Sequence, residues 1–443
     1  MSTEKIKNIL VILLGALAFV WPALWNGYPL VYSDTNVFIA QPAPGHFNWD
    51  KPFIYGPWML LVHGWQSLWG VAFAQAFLVS QLLWFTLVVF GPPNRSRYLL
   101  LCTVLGVCSA ASWFASLLMP DIFSALTVLS IFILGFSPRL SRSLVVWICL
   151  VGALAIAVHL SHLVIAAACV LVVLIVRFAR FGLVLVPLAL ALSLLVSTSY
   201  YAFNKLAVSP FGSVFMLARL AADGHIDAAL ASHCPNSGWH LCGWKDRLPS
   251  DSDAFMWEVQ GPVWSHPGGP IGLAPEASTL VTLAVRDNPL GVLASMIKNT
   301  SQQLVMIKLG DTLHADWLDV TVAKKIETYF SPLELARFKS SLQWSNALQD
   351  RVQWVNYLAT AVLLLSFLLG LYCLWRAIVK RDMRAIGFML LVYAGVLANA
   401  FATGALSKPH YRYQTRIAWL LVIPPMVLLR RKETDEVSLR ASQ

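Results

Sequence analysis

Long apolar runs recur throughout this chain, and they constrain its fold more than any other feature. Most of them approach the roughly 20 residues that an α-helix needs to cross the hydrocarbon core of a bilayer. They lack the alternation of apolar and polar residues that is typical of membrane β-strands. Only 12% of the 443 residues are charged, whereas roughly a quarter are charged in soluble proteins. The sequence therefore predicts an all-α integral membrane protein.

Ten spans account for these runs and divide the chain into three parts. The predicted spans are 6–25, 69–91, 98–119, 122–137, 144–159, 162–177, 182–202, 354–376, 385–406 and 417–430. Seven spans form an N-terminal bundle over residues 1–202, with a first outer loop at 26–55, and three form a C-terminal bundle and tail over 354–443. Residues 203–353 combine many Pro, Gly and Trp residues with nearly balanced charge, which predicts a folded insert.

The chain begins like a signal peptide, because Lys5 and Lys7 precede its first apolar run. That run is too long for the apolar part of a signal peptide, and no small-residue cleavage motif follows it. We therefore expect an uncleaved first span.

The positive charges indicate how the chain is oriented. With ten spans, one side of the membrane holds Arg95, Arg97, Arg139, Arg142, Arg177, Arg180, Arg376, Lys380, Arg381, Arg384, Arg430, Arg431 and Lys432. Lys and Arg are enriched in cytoplasmic loops, so this side is the cytoplasm. We expect a multi-pass protein of the bacterial inner membrane, with both termini cytoplasmic and the insert periplasmic. The net charge of +10 lies mainly at helix ends, and no basic, aromatic-rich patch predicts nucleic-acid binding.

Cysteine placement agrees with this orientation. Cys234 and Cys242 stand alone in the insert, in "CPNSGWHLC", and an oxidising periplasm favours a disulfide between them. The other five cysteines lie within predicted spans, where a thiol packs as a small apolar group. A zinc site using His233 and His240 is the alternative, but the insert has no second close pair of ligands.

Local patterns predict helices beside the spans. "SPLE" at 331–334 is a capping box, in which Ser331 caps the helix and Glu334 returns the bond, and the helix should continue into the eighth span. The stretches 289–309 and 210–224 are expected to be amphipathic, the second ending at Gly224. The stretch 51–68 is expected to be another amphipathic helix, lying on the membrane before the second span.

Ionisable residues gather at the outer ends of the spans. Such groups are costly at membrane depth and tend to face the bundle interior or a watery cavity. We therefore expect one outer cavity to contain Asp34, Asp121, His159, His162, Lys408, His410, Arg412 and Arg416.

The acids and histidines also have simpler interpretations. Asp34 could cap a helix that starts beside it, and Asp121 could belong to an ordinary turn. His159 and His162 are three residues apart and face the same side of a helix. Two histidines are too few for a metal site, so polar packing between spans is the favoured alternative.

The late cations are harder to explain structurally. In "KPHYRYQTR" they lie on the side of the membrane where positive charge is normally sparse. Arg412 and Arg416 are four residues apart and share one helix face, and paired guanidiniums suit phosphate oxygens. The pattern predicts anion or phosphate binding, with an interfacial anchor as the alternative.

Several stretches together resemble the GT-C superfamily of membrane glycosyltransferases. "YSDTNVFI" followed by "KPFIYGPWMLLVHGW" resembles the first outer loop of that family, which carries an acidic residue and an interfacial helix. "LLMPDIFSALTVLSIFIL" resembles its acidic turn between the third and fourth spans, and "KPHYRYQTRIAWLLVIPP" is similar to its late turn before a final span. "DTN" is not the D-x-D of metal-dependent members, so the sequence does not support a divalent metal.

This resemblance implies an enzyme that transfers a sugar from a polyprenyl-phosphate donor to a lipid or glycan acceptor. Asp34 would act as the general base. Arg412 and Arg416 would stabilise the leaving phosphate, assisted by Lys408 or His410. The residues that would orient the acceptor or the base are Asp121, His159 and His162.

Three other functions fit the same pattern. A transporter or flippase of a lipid-linked glycan would use the same cavity, although no repeat relates the two halves of the chain. A membrane acyl- or phosphate-group transferase could use His159. A scaffold would bind a partner through the insert. The sequence has no serine-hydrolase elbow and no nucleotide-binding glycine motif.

Overall fold

The computed structural model describes residues 3–429, and that part of the chain is built from helices. Its only β-type pairing is an isolated bridge between Leu30 and Leu117. Arg430, Arg431 and Lys432 of the predicted basic tail lie outside the described residues. The prediction of an all-α fold is confirmed for residues 3–429.

The helices follow the chain in three groups. The first group is α1 (Thr3–Leu17), α2 (Trp21–Asn26), α3 (Thr35–Ala40), α4 (Tyr55–His63), α5 (Trp69–Phe90), α6 (Arg95–Cys108), α7 (Ala111–Ser116), α8 (Phe123–Phe136), α9 (Arg142–Ala157), α10 (Ser161–Val176) and α11 (Phe181–Phe203). The insert contains α12 (Gly212–Ala222), α13 (Asp227–His233), α14 (Ser252–Trp257), α15 (Gly269–Asp287), α16 (Pro289–Val305), α17 (Lys324–Tyr329), α18 (Pro332–Lys339) and α19 (Leu348–Arg351). The last group is α20 (Gln353–Val379), α21 (Met383–Ala400), α22 (Tyr411–Ala418) and α23 (Ile423–Leu428).

Within residues 3–429, four helices are long and apolar enough to cross a membrane: α5, α11, α20 and α21, with short 3-10 or π turns extending two of them. A fifth candidate is the pair α15 and α16, which is bent by 103° at its junction. The other predicted spans are shorter or broken. For example, the first divides into α1 and α2, and the third into α6 and α7. Helices long enough to span a membrane are thus observed, whereas the arrangement of ten spans stays a prediction.

Helix α8 occupies the centre of the bundle. All 14 of its residues are buried, and α5, α9, α10 and α21 pack around it. A helix that is apolar on every side is stable only when other helices or lipid cover it completely. This central position explains why α8 carries no charged residue.

Small residues allow α21 to approach α8 closely. A Cβ atom added at Gly387 would lie 2.1 Å from the ring of Phe136, and one added at Gly395 would lie 2.6 Å from Val128. Phe388 and Phe132 contact each other in the same interface, with ring centroids 4.4 Å apart. The first and last thirds of the chain are therefore joined by tight helix packing, in which small residues bring backbones together.

The predicted insert contains two packing units. Helices α12 to α16 contribute to an apolar cluster of their own, between Phe211 and Val292. Side chains from Leu309 to Val352 instead join the main core of the bundle. Only the first of these units packs around a separate core.

One of the two hydrogen bonds of the capping box predicted at 331–334 is present. The Ser331 hydroxyl accepts a hydrogen bond from the Glu334 backbone N–H at 3.3 Å. The Glu334 carboxylate, only 2% exposed, does not return the bond. It accepts from the Tyr28 hydroxyl at 2.7 Å and the Leu68 N–H at 2.9 Å. A buried carboxylate needs such donors, so Glu334 holds the insert against the N-terminal part of the chain.

Other predicted helices differ in extent. The continuous helix from 331 into the eighth span is wrong, because α18 ends at Lys339 and α20 starts at Gln353. Within 51–68 only Tyr55–His63 is an α-helix, ended by Gly64 in a left-handed conformation. The amphipathic helix predicted at 210–224 is confirmed as α12, followed by Gly224 with a positive φ of 77°.

Candidate functional site

A cavity of about 380 Å³ lies where the loop at 26–55 meets the ends of several helices. Its size is within the range of about 300–1,000 Å³ that is typical of small-molecule sites. Apolar side chains form much of its wall, and the ionisable residues that line it are Asp34, Asp50, Lys51, Asp121, His159 and Arg412. Four of the eight predicted site residues are thus brought to one cavity, although almost 380 residues separate the first of them from the last.

Asp34 precedes α3 but does not cap it. It occupies the N-cap position with helical φ and ψ, and its side chain makes no capping hydrogen bond. The carboxylate is 34% exposed, and its Oδ1 atom lies 3.4 Å from Nζ of Lys51. The capping interpretation of Asp34 therefore has no support in this structure, and the carboxylate is available at the cavity wall.

Asp121 lies in a single 3-10 turn between α7 and α8 and is 1% exposed. Its Oδ1 atom is 3.6 Å from Nε of Arg412 and 3.4 Å from Nη1 of Arg416. A buried carboxylate is stable in its charged form when cations compensate it. Asp121 is accordingly a shared counter-ion that orients both arginines.

Arg412 is held by its surroundings, but its Nη1 atom lacks a partner among the described residues. Its guanidinium carbon lies 4.7 Å from the ring centre of Tyr32 and 4.9 Å from that of Tyr413. Its backbone N–H donates to Asp311 at 2.8 Å. Within residues 3–429, Nη1 of Arg412 is buried and has no hydrogen-bond partner. Leaving a buried donor without a partner is costly. Because Arg412 lines the cavity, an anion bound there that accepted from this atom would remove that cost.

Arg416 is fully buried, and among the described residues it is not part of the cavity lining. Its guanidinium donates to Ser161 Oγ at 2.8 Å and to Asn399 Oδ1 at 3.0 Å. With Asp121 as a third partner, most of its donors are already used. The predicted pair of phosphate-binding arginines is thus divided, since Arg412 faces the cavity and Arg416 supports it.

The two histidines also have different surroundings. His159 lines the cavity, and its Nδ1 accepts from the backbone N–H of Ser161 at 3.3 Å. The proton of the neutral ring is then on Nε2. His162 is buried, and its Nδ1 donates to the carbonyl of Ala155 at 2.6 Å. His162 therefore takes part in hydrogen-bonded packing between helices, which was the favoured alternative to a metal site.

Lys408 and His410 belong to a separate contact with the insert. Nζ of Lys408 lies 2.6 Å from Asp251 and 2.8 Å from Asp253, and Nε2 of His410 lies 3.1 Å from Asp253. We call these four residues the insert clamp. The structure does not bring Lys408 and His410 to the cavity lining.

The insert also contains a disulfide, between Cys234 and Cys242. Among the described residues, no group of three or more His, Cys, Asp and Glu side chains is arranged to hold a metal ion. His233 and His240 accordingly have other partners, since Nδ1 of His233 donates to the carbonyl of Ala229.

Sequence reasoning missed Asp50, Lys51 and Asp311. A signal for Lys51 was present, because it is the only Lys or Arg between Lys7 and Arg95. It was instead assigned to the beginning of an amphipathic helix. Asp311 had no comparable signal, because it lies in an ordinary polar stretch of the insert.

The cavity therefore combines an apolar wall with three carboxylates, the ammonium group of Lys51 and the guanidinium of Arg412, whose Nη1 atom has no partner in the described residues. An apolar pocket that contains a few polar groups is typical of small-molecule sites. No family model, no characterised protein and no solved structure matches this chain.

Proposed function

We propose that this chain is a membrane glycosyltransferase of the GT-C type. It moves a sugar from a polyprenyl-phosphate donor to a lipid or glycan acceptor at the outer face of the bacterial inner membrane. The observation that carries the proposal is that Asp34 and Arg412 line the same cavity. The proposal includes ten spans, cytoplasmic termini and a periplasmic insert.

Each residue has a role that follows from its position. The acceptor hydroxyl attacks the anomeric carbon while Asp34 takes its proton, which is worth about 10²–10⁴-fold in rate. The bond between that carbon and the phosphate oxygen breaks, and the Nη1 donor of Arg412 stabilises the charge on the leaving phosphate. Asp121 and Arg416 hold Arg412 in place.

The apolar part of the cavity suits the rest of the donor. Phe38, Val158, Leu163, Val164 and Phe215 are among the residues that line it. A prenyl chain that leaves the bilayer for these side chains gains packing contacts rather than hydrophobic transfer energy, because lipid tails are equally apolar. The apolar wall would therefore accommodate the prenyl chain, and the phosphate would orient the donor.

The proposal is tested by replacing Asp34 with Asn in cells that lack the native gene. Envelope glycans and prenyl-linked sugars are compared by mass spectrometry at matched protein levels. We expect the wild-type chain to add a sugar, and Asp34→Asn to reduce turnover by about 10²-fold or more.

Asp246→Asn is the matched control, because Asp246 is exposed in the insert and is not among the residues that line the cavity. Normal sugar transfer by Asp34→Asn would overturn the role of the base. An acylated product would overturn the glycosyltransferase proposal in favour of an acyltransferase. A glycolipid that only moves across the membrane, unchanged in composition, would overturn it in favour of a flippase.

A further inference from the structure

Lys51 connects the candidate base to a second carboxylate at the cavity wall. Its Nζ atom lies 3.4 Å from Oδ1 of Asp34 and 2.5 Å from Oδ2 of Asp50. All three residues line the cavity. The Asp50 side chain is 7% exposed and that of Asp34 is 34% exposed, so Lys51 has one enclosed partner and one that faces the open part of the site.

The charges around Lys51 keep it protonated. Burial alone lowers the pKa of Lys51, but Asp34 and Asp50 outweigh burial, and the pKa lies above its usual value. The Lys51 ammonium lies against one carboxylate oxygen of Asp34 and so competes with an acceptor hydroxyl for that oxygen. In this arrangement Lys51 restrains the group that has to act as the base.

Arg412, the other cation that lines the cavity, has a different set of charged partners. Arg412 is paired with Asp121, and its Nη1 atom has no partner among residues 3–429. A phosphate bound in the cavity would attract both Arg412 and Lys51, because both line it and a cation and a phosphate form a charge-assisted hydrogen bond. Phosphate and Asp34 would then compete for the same ammonium group.

We propose that Lys51 couples donor binding to release of the base: the donor phosphate takes the Lys51 ammonium from Asp34, which is then free to accept the acceptor proton. This rests on the proposed function. Asp50 keeps Lys51 at the cavity wall during the exchange, since the closer contact of Lys51 is with Asp50. Asp34 thus becomes an effective base only when a donor is present.

The reaction balances with these groups. The acceptor oxygen forms a bond to the anomeric carbon, and the bond from that carbon to the phosphate oxygen breaks with its electron pair remaining on phosphate. Lys51 and Arg412 stabilise that charge. The acceptor proton goes to Asp34 and is lost to water once the polyprenyl phosphate leaves and Lys51 returns.

A double-mutant cycle with a defined probe tests this coupling without knowledge of the sugar. Binding of undecaprenyl phosphate to the full-length protein in detergent is measured for the wild type, Asp34→Asn, Lys51→Met and the double variant. Undecaprenol, which lacks the phosphate, reports binding through the prenyl chain alone. Lys205→Met is the matched control, because Lys205 is exposed and is not among the residues that line the cavity.

We expect Asp34→Asn to tighten phosphate binding by roughly three- to fivefold, because it removes a partly exposed competitor for Lys51. We expect Lys51→Met to weaken it by roughly tenfold. In the Lys51→Met background, Asp34→Asn should have no further effect. If Lys51→Met does not fold, Lys51→Gln, which can still donate to Asp50, takes its place.

The outcomes separate the two proposals. If Asp34→Asn tightens binding equally with and without Lys51, it only relieves repulsion of phosphate, and the coupling is overturned. The coupling is also overturned if Asp34→Asn leaves binding unchanged. If the wild type does not distinguish undecaprenyl phosphate from undecaprenol, the proposed donor class itself fails.

Discussion

At the scale of single residues, the two late arginines differ in what surrounds them. Arg416 is fully buried and bonds to Asp121, Ser161 and Asn399. Arg412 shares Asp121 but retains a donor without a partner in the described residues. Identical side chains one helical turn apart therefore differ in how fully protein partners satisfy them.

This difference predicts unequal costs of substitution. Arg416→Met leaves Asn399 and Ser161 without their donor and removes a buried ion pair, which should destabilise the protein by about 3–5 kcal/mol. Arg412→Met leaves Asp121 paired with Arg416 and should cost less. Thermal unfolding of both variants in detergent measures the difference, and equal melting temperatures would contradict it.

At the scale of helices, the contact between α21 and α8 depends on the absence of side-chain atoms. Gly387 faces the ring of Phe136, which is buried and stacks on Phe132 with ring centroids 5.6 Å apart. The ring has little room to move. The close approach of the two helices therefore requires glycine at this position.

We expect Gly387→Ala to destabilise the protein by about 1–3 kcal/mol, which is typical of overpacking in a filled core. Gly182→Ala is the matched control, because a Cβ atom at Gly182 of α11 would have no atom within 4 Å. That variant should be neutral or slightly stabilising, since alanine favours helix more than glycine does. Equal melting temperatures for Gly387→Ala and Gly182→Ala would contradict this prediction.

At the scale of the whole molecule, the insert clamp joins the insert to the segment that leads into Arg412. Burial raises the pKa of Asp253, but hydrogen bonds from His410 and Lys408 outweigh it and lower the pKa to about 2. A carboxyl group whose pKa is lowered by folding adds stability above its unfolded pKa, near 4, and that stability is lost as the pH falls toward 2.

Asp253→Asn should therefore lower the melting temperature at neutral pH, and the difference from the wild type should shrink between about pH 4 and pH 2. The contribution is expected to be about 1 kcal/mol or less, because the clamp is partly exposed to solvent. Asp246→Asn provides the control for removal of an acid from the insert. A difference that does not change with pH would exclude the ionic clamp as its cause.

Much of the architecture could be predicted from residue patterns. Apolar runs and the scarcity of charge predict membrane helices because solvation acts on each segment locally. The helix at Gly212–Ala222 and the polar groups at the ends of the apolar runs were predicted from equally local patterns. Eight residues were expected to share a cavity, and the structure brings only Asp34, Asp121, His159 and Arg412 of them to one.

Which partner each charged group takes was decided only by the folded chain. Glu334 is three residues after Ser331 in the sequence, yet its carboxylate accepts hydrogen bonds from Tyr28 and Leu68. Lys408 pairs with the insert, whereas Lys51 reaches Asp34. Helix propensity and hydropathy are short-range properties, but electrostatic pairing depends on distances that arise when remote segments pack together.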